Sequence, residues 1–308
     1  MSAKTLSIAL TVPLVAAALG AAFAAPASAQ TCNVAGKAQC ANTTMNWQVK
    51  AHDNLKGSDF KGAKLKGADF RNANLTKANF KGAVLTSADF RNANLTKVNF
   101  TGAKLKYADF TGATMTKAQL TKAKSSNANF TGVSLQKSKL KNGNFENSNF
   151  YGADLTGANL AGSNQVPPPP PFGPQTKAKV TTDLTNANLY GATLSGANLK
   201  NVNLDNAIMG GVFAFGTNFT QAYLYGATLN GALLEGSNLT RVFALGAFFN
   251  GPNLGGTTMV STDVRYSSFI GTYLEGATVS SVQSTGSSWL DAVCPRRSPG
   301  GVHHCFMN

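Results

Sequence analysis

The chain is poor in the residues from which active sites are usually built. Its 308 residues include three His, four Cys and thirteen Asp or Glu. That leaves little material for metal, nucleophilic or general acid–base chemistry. No Gly-rich phosphate loop, H-E-x-x-H or nucleophile elbow occurs. The 31 glycines follow no G-X-Y period, which excludes collagen. After Ala22 there is no run of apolar residues long enough to span a bilayer. Charge as a whole is scarce, at 13% of residues, about half the usual ~25%. It is also lopsided, because 27 Lys and Arg give a net charge of +14. A hydrophobic content of 43% argues against a wholly disordered chain.

The first residues read as an address. Lys4 precedes an apolar stretch from Leu6 to Ala22, and Ala27-Ser28-Ala29 follows with small residues at its outer positions. This is the pattern of a cleaved signal peptide, expected over 1–29, and the stretch is short for a membrane anchor. A periplasmic or extracellular location is the expectation, and export makes disulfides reasonable.

The middle of the chain is periodic. From Leu55 to Leu160 a bulky apolar residue returns at every fifth position, as in Phe60, Leu65, Phe70, Leu75 and Phe80. Two residues before it stands a small one, such as Ala63, Ala68 or Ala73, and Asp or Asn often lies between them. Two residues after it, Gly or Asn recurs (Gly62, Gly67, Asn72), as a turn with positive φ requires. The period resumes in a new frame from Leu184 to Val279. Five fits neither a strand nor a helix, since apolar residues five apart drift around a helical surface. The chain must therefore turn every few residues and bury two residues in five. Some positions depart from the pattern: Ser125, Ala214 and Ala244 replace a bulky residue, and Pro252 a small one.

The motif A-[DN]-[LF]-x-x resembles the pentapeptide repeat family. That resemblance implies an all-β fold, a right-handed quadrilateral parallel β-helix with 20 residues per coil and about ten coils. Phe60, Phe80 and Phe100 would then form one vertical stack, and Phe70, Phe90, Phe110, Phe130 and Phe150 another on the opposite face. The expected layout is an N-terminal cap at 30–50, a basic repeat block at 51–162, a Pro-rich insertion loop at 163–183, a neutral repeat block at 184–283 and a C-terminal cap at 284–308. A rod of that length keeps the two pairs of cysteines apart, so the expected disulfides are Cys32–Cys40 and Cys294–Cys305. Trp47 and Trp289 are candidate lids for the apolar coil ends. The alternative at the C-terminus is a zinc site of Cys294, His303, His304 and Cys305. The insertion carries Pro167 to Pro171 and Pro174. It reads as a loop leaving one continuous solenoid, or otherwise as a polyproline ligand or a strut between two rods.

Charge divides the rod. Residues 53–162 hold 17 Lys and Arg against 7 Asp and Glu, whereas residues 183–283 hold 3 against 5. Lys77, Lys97, Lys117 and Lys137 recur every 20 residues and should stack, with shorter columns at Lys104/Lys124 and Arg71/Arg91. These eight are the candidate contacts to an anionic envelope polysaccharide or lipid surface. Specific nucleic-acid binding is disfavoured, because the aromatics of this half point inward. In the second half Phe213, Phe215, Tyr223, Tyr225, Phe243, Leu245, Phe248 and Tyr273 flank inward positions, which suggests an interface with a protein or a second copy. Asp69, Asp89 and Asp109 form a ladder of the kind that polysaccharide-acting β-helix enzymes use. The same position continues as Asn129 and Asn149, however, which favours a turn-supporting role. The expectation is therefore a non-enzymatic binding rod without a cofactor or resident metal. Some members of the resembled family mimic DNA toward type II topoisomerases through acidic surfaces. A basic, exported chain fits that poorly.

Overall fold

The computed structural model describes residues 41, 54–162 and 182–294. Among the described residues the regular structure is all β and all parallel. Four short strands qualify: β1 (Thr182–Asp183) pairs with β2 (Val202–Asn203), and β3 (Thr258–Val260) with β4 (Thr278–Ser280). The rest of the ladder is built from single bridges twenty residues apart, such as Asn54 to Asn74, Asp59 to Asn79, Lys64 to Val84 and Asp69 to Asp89. Each coil therefore has four sides. We number them by their buried residues: side one carries Phe60, side two Leu65, side three Phe70 and side four Leu75. Stacked coils are about 4.8 Å apart, as paired strands are.

The five-residue motif explains the geometry position by position. On side four the Leu55 N–H donates to the Asn74 carbonyl at 2.8 Å in the next coil. The chain then turns, with the Ser58 N–H donating back to the Leu55 carbonyl at 3.1 Å. Gly57, at the third position of that turn, has φ 68°, the signature of a type II turn. A positive φ recurs at every fifth residue from Gly57 to Gly157 and from Asn186 to Asp291. The Asp or Asn before the bulky residue supports the turn: Asp59 Oδ1 accepts the Lys61 N–H at 3.0 Å, and Asp69 Oδ1 accepts the Arg71 N–H at 3.0 Å. This is an Asx turn, and it accounts for the [DN] of the motif.

The interior is two aromatic stacks meeting edge to face. On side three Phe90 lies between Phe70 (4.9 Å, 5°) and Phe110 (5.0 Å, 1°). Across the core Phe80 and Phe100 present edges to it at 5.9 and 5.5 Å. Where Ser or Thr takes the small inward position, its hydroxyl commonly donates to the carbonyl at the bulky position one coil earlier. Ser138 does so to Met115, Thr217 to Leu194 and Thr262 to Leu239, each at 2.7 Å, although Thr257 bonds Leu254 in its own coil. A buried hydroxyl is thus tolerated because a free carbonyl lone pair waits for it.

Ser125 departs from this economy. It replaces a leucine in the side-two column, is fully buried, and its Oγ has no hydrogen-bond partner. The ring of Phe145 fills the same column one coil on. Only Gly143 fits beside that ring, since a Cβ there would lie 2.4 Å from it. The defect is compensated packing with one unmet hydroxyl. Ser125→Ala should raise stability by about 1 kcal/mol, read as a higher denaturation midpoint at unchanged m-value. A loss of stability would show that the hydroxyl is satisfied.

The two repeat blocks form one ladder. Asn144 bridges Asp183, Asn149 bridges Asn188, Asp154 bridges Thr193 and Asn159 bridges Asn198. Each of these pairs is 39 residues apart, so the insertion adds nineteen residues to one coil without breaking the stack. The chain leaves after Gly162, where sides one and two meet, and re-enters at Thr182, whose hydroxyl accepts the Asn142 N–H at 2.8 Å. The prolines lie outside the described residues. The same bridging continues to Tyr273 and Val293. There Trp289 stacks over Phe269 on side three (4.0 Å, 4°). Cys294 is disulfide-bonded. Cys32, Cys40, Cys305, His303, His304 and Trp47 lie outside the described residues.

Candidate anion-binding side

Numbering the sides shows where each candidate residue sits. Lys77, Lys97, Lys117 and Lys137 line the corner between sides four and one, and all four are exposed. They occupy the third position of the turn, with φ of 61°, 59°, 59° and 55°. This is the left-handed region, where glycine is free and a lysine is strained. The same corner carries Gly57 before them and Gly157, Gly196, Gly216, Gly236, Gly256 and Gly276 after them. Elsewhere the turn is mostly glycine or asparagine, and no other corner collects a file of long side chains. Among the described residues none of the four makes an ion pair.

The other candidate cations do not join them. Lys104 and Lys124 bridge each other on side two. Arg71 and Arg91 lie on side three and are already engaged. Arg71 Nη2 pairs with Asp69 at 2.6 Å and its Nε lies 3.6 Å from Asp89. Arg91 repeats this with Asp89 (2.6 Å) and Asp109 (3.9 Å). The expected basic column is therefore a salt-bridge zipper with the aspartate ladder, close to neutral. The same zipper answers for the aspartates. The hydrogen bond from the Arg71 side chain holds the Asp69 carboxyl below the usual range, whereas a general acid requires a raised value. Asp109 Oδ1 accepts from both the N–H and the hydroxyl of Thr111. These carboxylates hold turns and arginines.

Side one supplies what the column count missed. Lys61, Lys81, Lys139 and Lys141 flank its buried residues, and Lys122 stands at its far corner; all are exposed. With the lysine file, nine lysines border this side of the first block against a single carboxylate, Asp59. The signal was present in the sequence. It appears when positions are grouped around the coil rather than only along it.

The apolar candidates also separate. Tyr223 and Phe243 stack on side two (5.3 Å, 15°) with Tyr225 and Leu245 beside them. Tyr223 is buried, and Phe243 and Leu245 are half-buried. Phe213, Phe215 and Tyr273 are exposed on side four, opposite, and Phe248 is exposed on side three. One continuous patch was expected, but the square section divides it among three sides. The sequence reading missed the stacked pair Tyr151 and Tyr190 (5.8 Å, 7°) on side three, where Ile208, Ile270 and Leu290 are also exposed.

The side-two cluster contains a perturbed acid. Burial, followed by the charge of Asp183, pushes Asp205 up to about 6, against the opposing hydrogen bond from the Tyr225 N–H (3.0 Å). A raised carboxyl binds more protons folded than unfolded, so its cost is small at pH 4, grows as pH rises from about 4 to 6, and is constant above that. Asp205→Asn should remove this slope and stabilise the protein by about 2 kcal/mol at pH 7.5 and little at pH 4. Urea midpoints at both pH values measure it, and an equal gain at both would contradict the assignment.

The sequence matches models of one family along most of the ladder. A pentapeptide repeat region is found at residues 53–130, and pentapeptide repeats (8 copies) at 128–164, 182–221 and 217–256, together more than half of the chain. The chain belongs to the pentapeptide repeat family, a family of non-enzymatic repeat scaffolds that adopt a right-handed quadrilateral β-helix. No curated protein sequence matches it. Among solved structures it is similar to HetL, a pentapeptide repeat protein involved in heterocyst differentiation regulation in the cyanobacterium Nostoc sp. strain PCC 7120. That match is 23% identical over 88% of this chain and 95% of that one, with TM-score 0.28. It is also similar to QnrB1, a plasmid-mediated fluoroquinolone resistance protein (16%, 73% and 88%, TM-score 0.31). A third similar structure is a thylakoid-lumen pentapeptide repeat protein of Arabidopsis thaliana (20%, 54% and 67%, TM-score 0.16).

Proposed function

We propose that this chain is an exported binding rod that holds an anionic polymer or surface against side one of its first block. The observation that carries the reading is the lysine file. Four long cations stand at left-handed turn positions, exposed and without an ion pair among the described residues, where Gly or Asn serves at lower conformational cost. A solubilising charge could stand at any outward position without that strain. The leader-like first 29 residues and the terminal cysteine pairs, Cys32–Cys40 and Cys294–Cys305, support a role outside the cytoplasm. The second block contributes exposed rings on sides three and four, suited to a protein partner or a second copy.

The test is binding of the purified mature chain to anionic vesicles and to soluble polyanions at low and physiological salt. Binding should weaken with salt, and Lys77/Lys97/Lys117/Lys137→Gln should lower affinity at least about tenfold. Arg71/Arg91→Gln should leave it nearly unchanged, because those charges are neutralised in place. Binding that ignores salt, or that follows the arginines, would refute the reading.

A further inference from the structure

Resting on that reading, the geometry points to a ligand class: a linear acidic polysaccharide with one carboxylate on every sugar, lying along the rod axis at the corner of sides four and one. Three features of the corner select it. The first is charge spacing. The four lysines leave the backbone at the same φ within a few degrees, one per coil, so their attachment points repeat at the coil rise of about 4.8 Å. That is close to the length of one extended sugar residue. It differs from duplex DNA, where each strand carries a phosphate about every 3.4 Å of axis.

The second feature is the chemistry beside the file. On side four it is bordered by the hydroxyl column Thr76, Thr96 and Thr116, and on side one by the amide column Asn79, Asn99 and Gln119. Hydroxyls and amides both donate and accept, as sugar hydroxyls require. The third is the position of the exposed aromatics. In the first block these are Tyr107 and Tyr151. Tyr107 stands at the corner of sides two and three and Tyr151 on side three, away from the file. Single-stranded nucleic acid would lack its stacking platform there.

The experiment compares homogalacturonan, with a carboxylate on every sugar, with hyaluronan, which has one on every second sugar. The methyl-esterified neutral form of homogalacturonan and a single-stranded oligodeoxynucleotide complete the set, all titrated at equal monomer charge where charged. Homogalacturonan should bind about tenfold tighter than hyaluronan or the oligonucleotide, and the ester should not bind. Lys97/Lys117→Gln should erase that preference, whereas Lys61/Lys81→Gln should weaken all polyanions alike and keep the ranking. Gln221 already occupies the equivalent turn position at the corner of sides one and two, with φ 58°, so the Gln variants retain a residue type the fold accepts there, and their melting curves verify it. Equal binding of all polyanions, or loss of the preference in Lys61/Lys81→Gln, would overturn this inference while leaving side one as an anion site. No binding of any polyanion at low salt would overturn both.

Discussion

Phe90→Ala should cost the protein about 3–5 kcal/mol, the range for emptying a buried phenylalanine site. Phe90 is fully buried, stacked on both faces and met by two edges. Its neighbours cannot collapse into the space, because each is held in register by backbone bonds to the coils on either side. Phe90→Leu should cost far less, since leucine already fills the same side-three column at Leu189 and Leu229. The loss should also be local. In a solenoid each coil contacts only its neighbours, so stability is a sum of coils and interfaces. Amide exchange should accelerate around residues 70–110 and remain slow around 230–270. A small loss, or uniform acceleration along the chain, would contradict the stacked-core account.

Replacing all four corner lysines with glycine should make the protein more stable and abolish its anion binding. Each replacement relieves a left-handed side chain, a strain of about 1 kcal/mol or more. It gives back about 0.5–1 kcal/mol in unfolded-chain entropy. Repulsion between adjacent charges at this spacing, which salt screens only partly, is removed as well. The sum over four sites is a gain of roughly 2 kcal/mol, visible as a melting temperature several degrees higher. A rise in stability together with lost binding is the pattern of residues kept for function rather than folding. A less stable quadruple variant would show that the lysines support the fold.

These expectations depend on details that differed in how openly the sequence displayed them. The coil was legible because a period of five with bulky, small and turn residues in fixed places allows few backbones. The columns followed from a spacing of twenty, and so did the Phe70 to Phe150 stack. The place of each charged residue around the coil follows from its offset within the motif: 77 is 75 plus two and therefore a turn position. Spacing of twenty alone puts Arg71 and Arg91 with the lysines, whereas their motif places Asp69 and Asp89 two residues earlier on the same side and pairs them. The apolar residues were likewise gathered into one patch that the square section divides. The new frame at Leu184 is explained by an insertion of nineteen residues, one short of a whole coil. Asp205 gave no signal, because its burial depends on Tyr223 and Tyr225 one coil away.

The central claim is that the corner lysines carry the contact with an anionic chain. The most direct measurement is the slope of log K against log salt for homogalacturonan binding. Each neutralised charge contributes about 0.7 to that slope for a single-stranded polyanion. The wild type should therefore be steeper than Lys77/Lys97/Lys117/Lys137→Gln by about 3, and Arg71/Arg91→Gln should match the wild type. Equal slopes for the wild type and the lysine variant would contradict it.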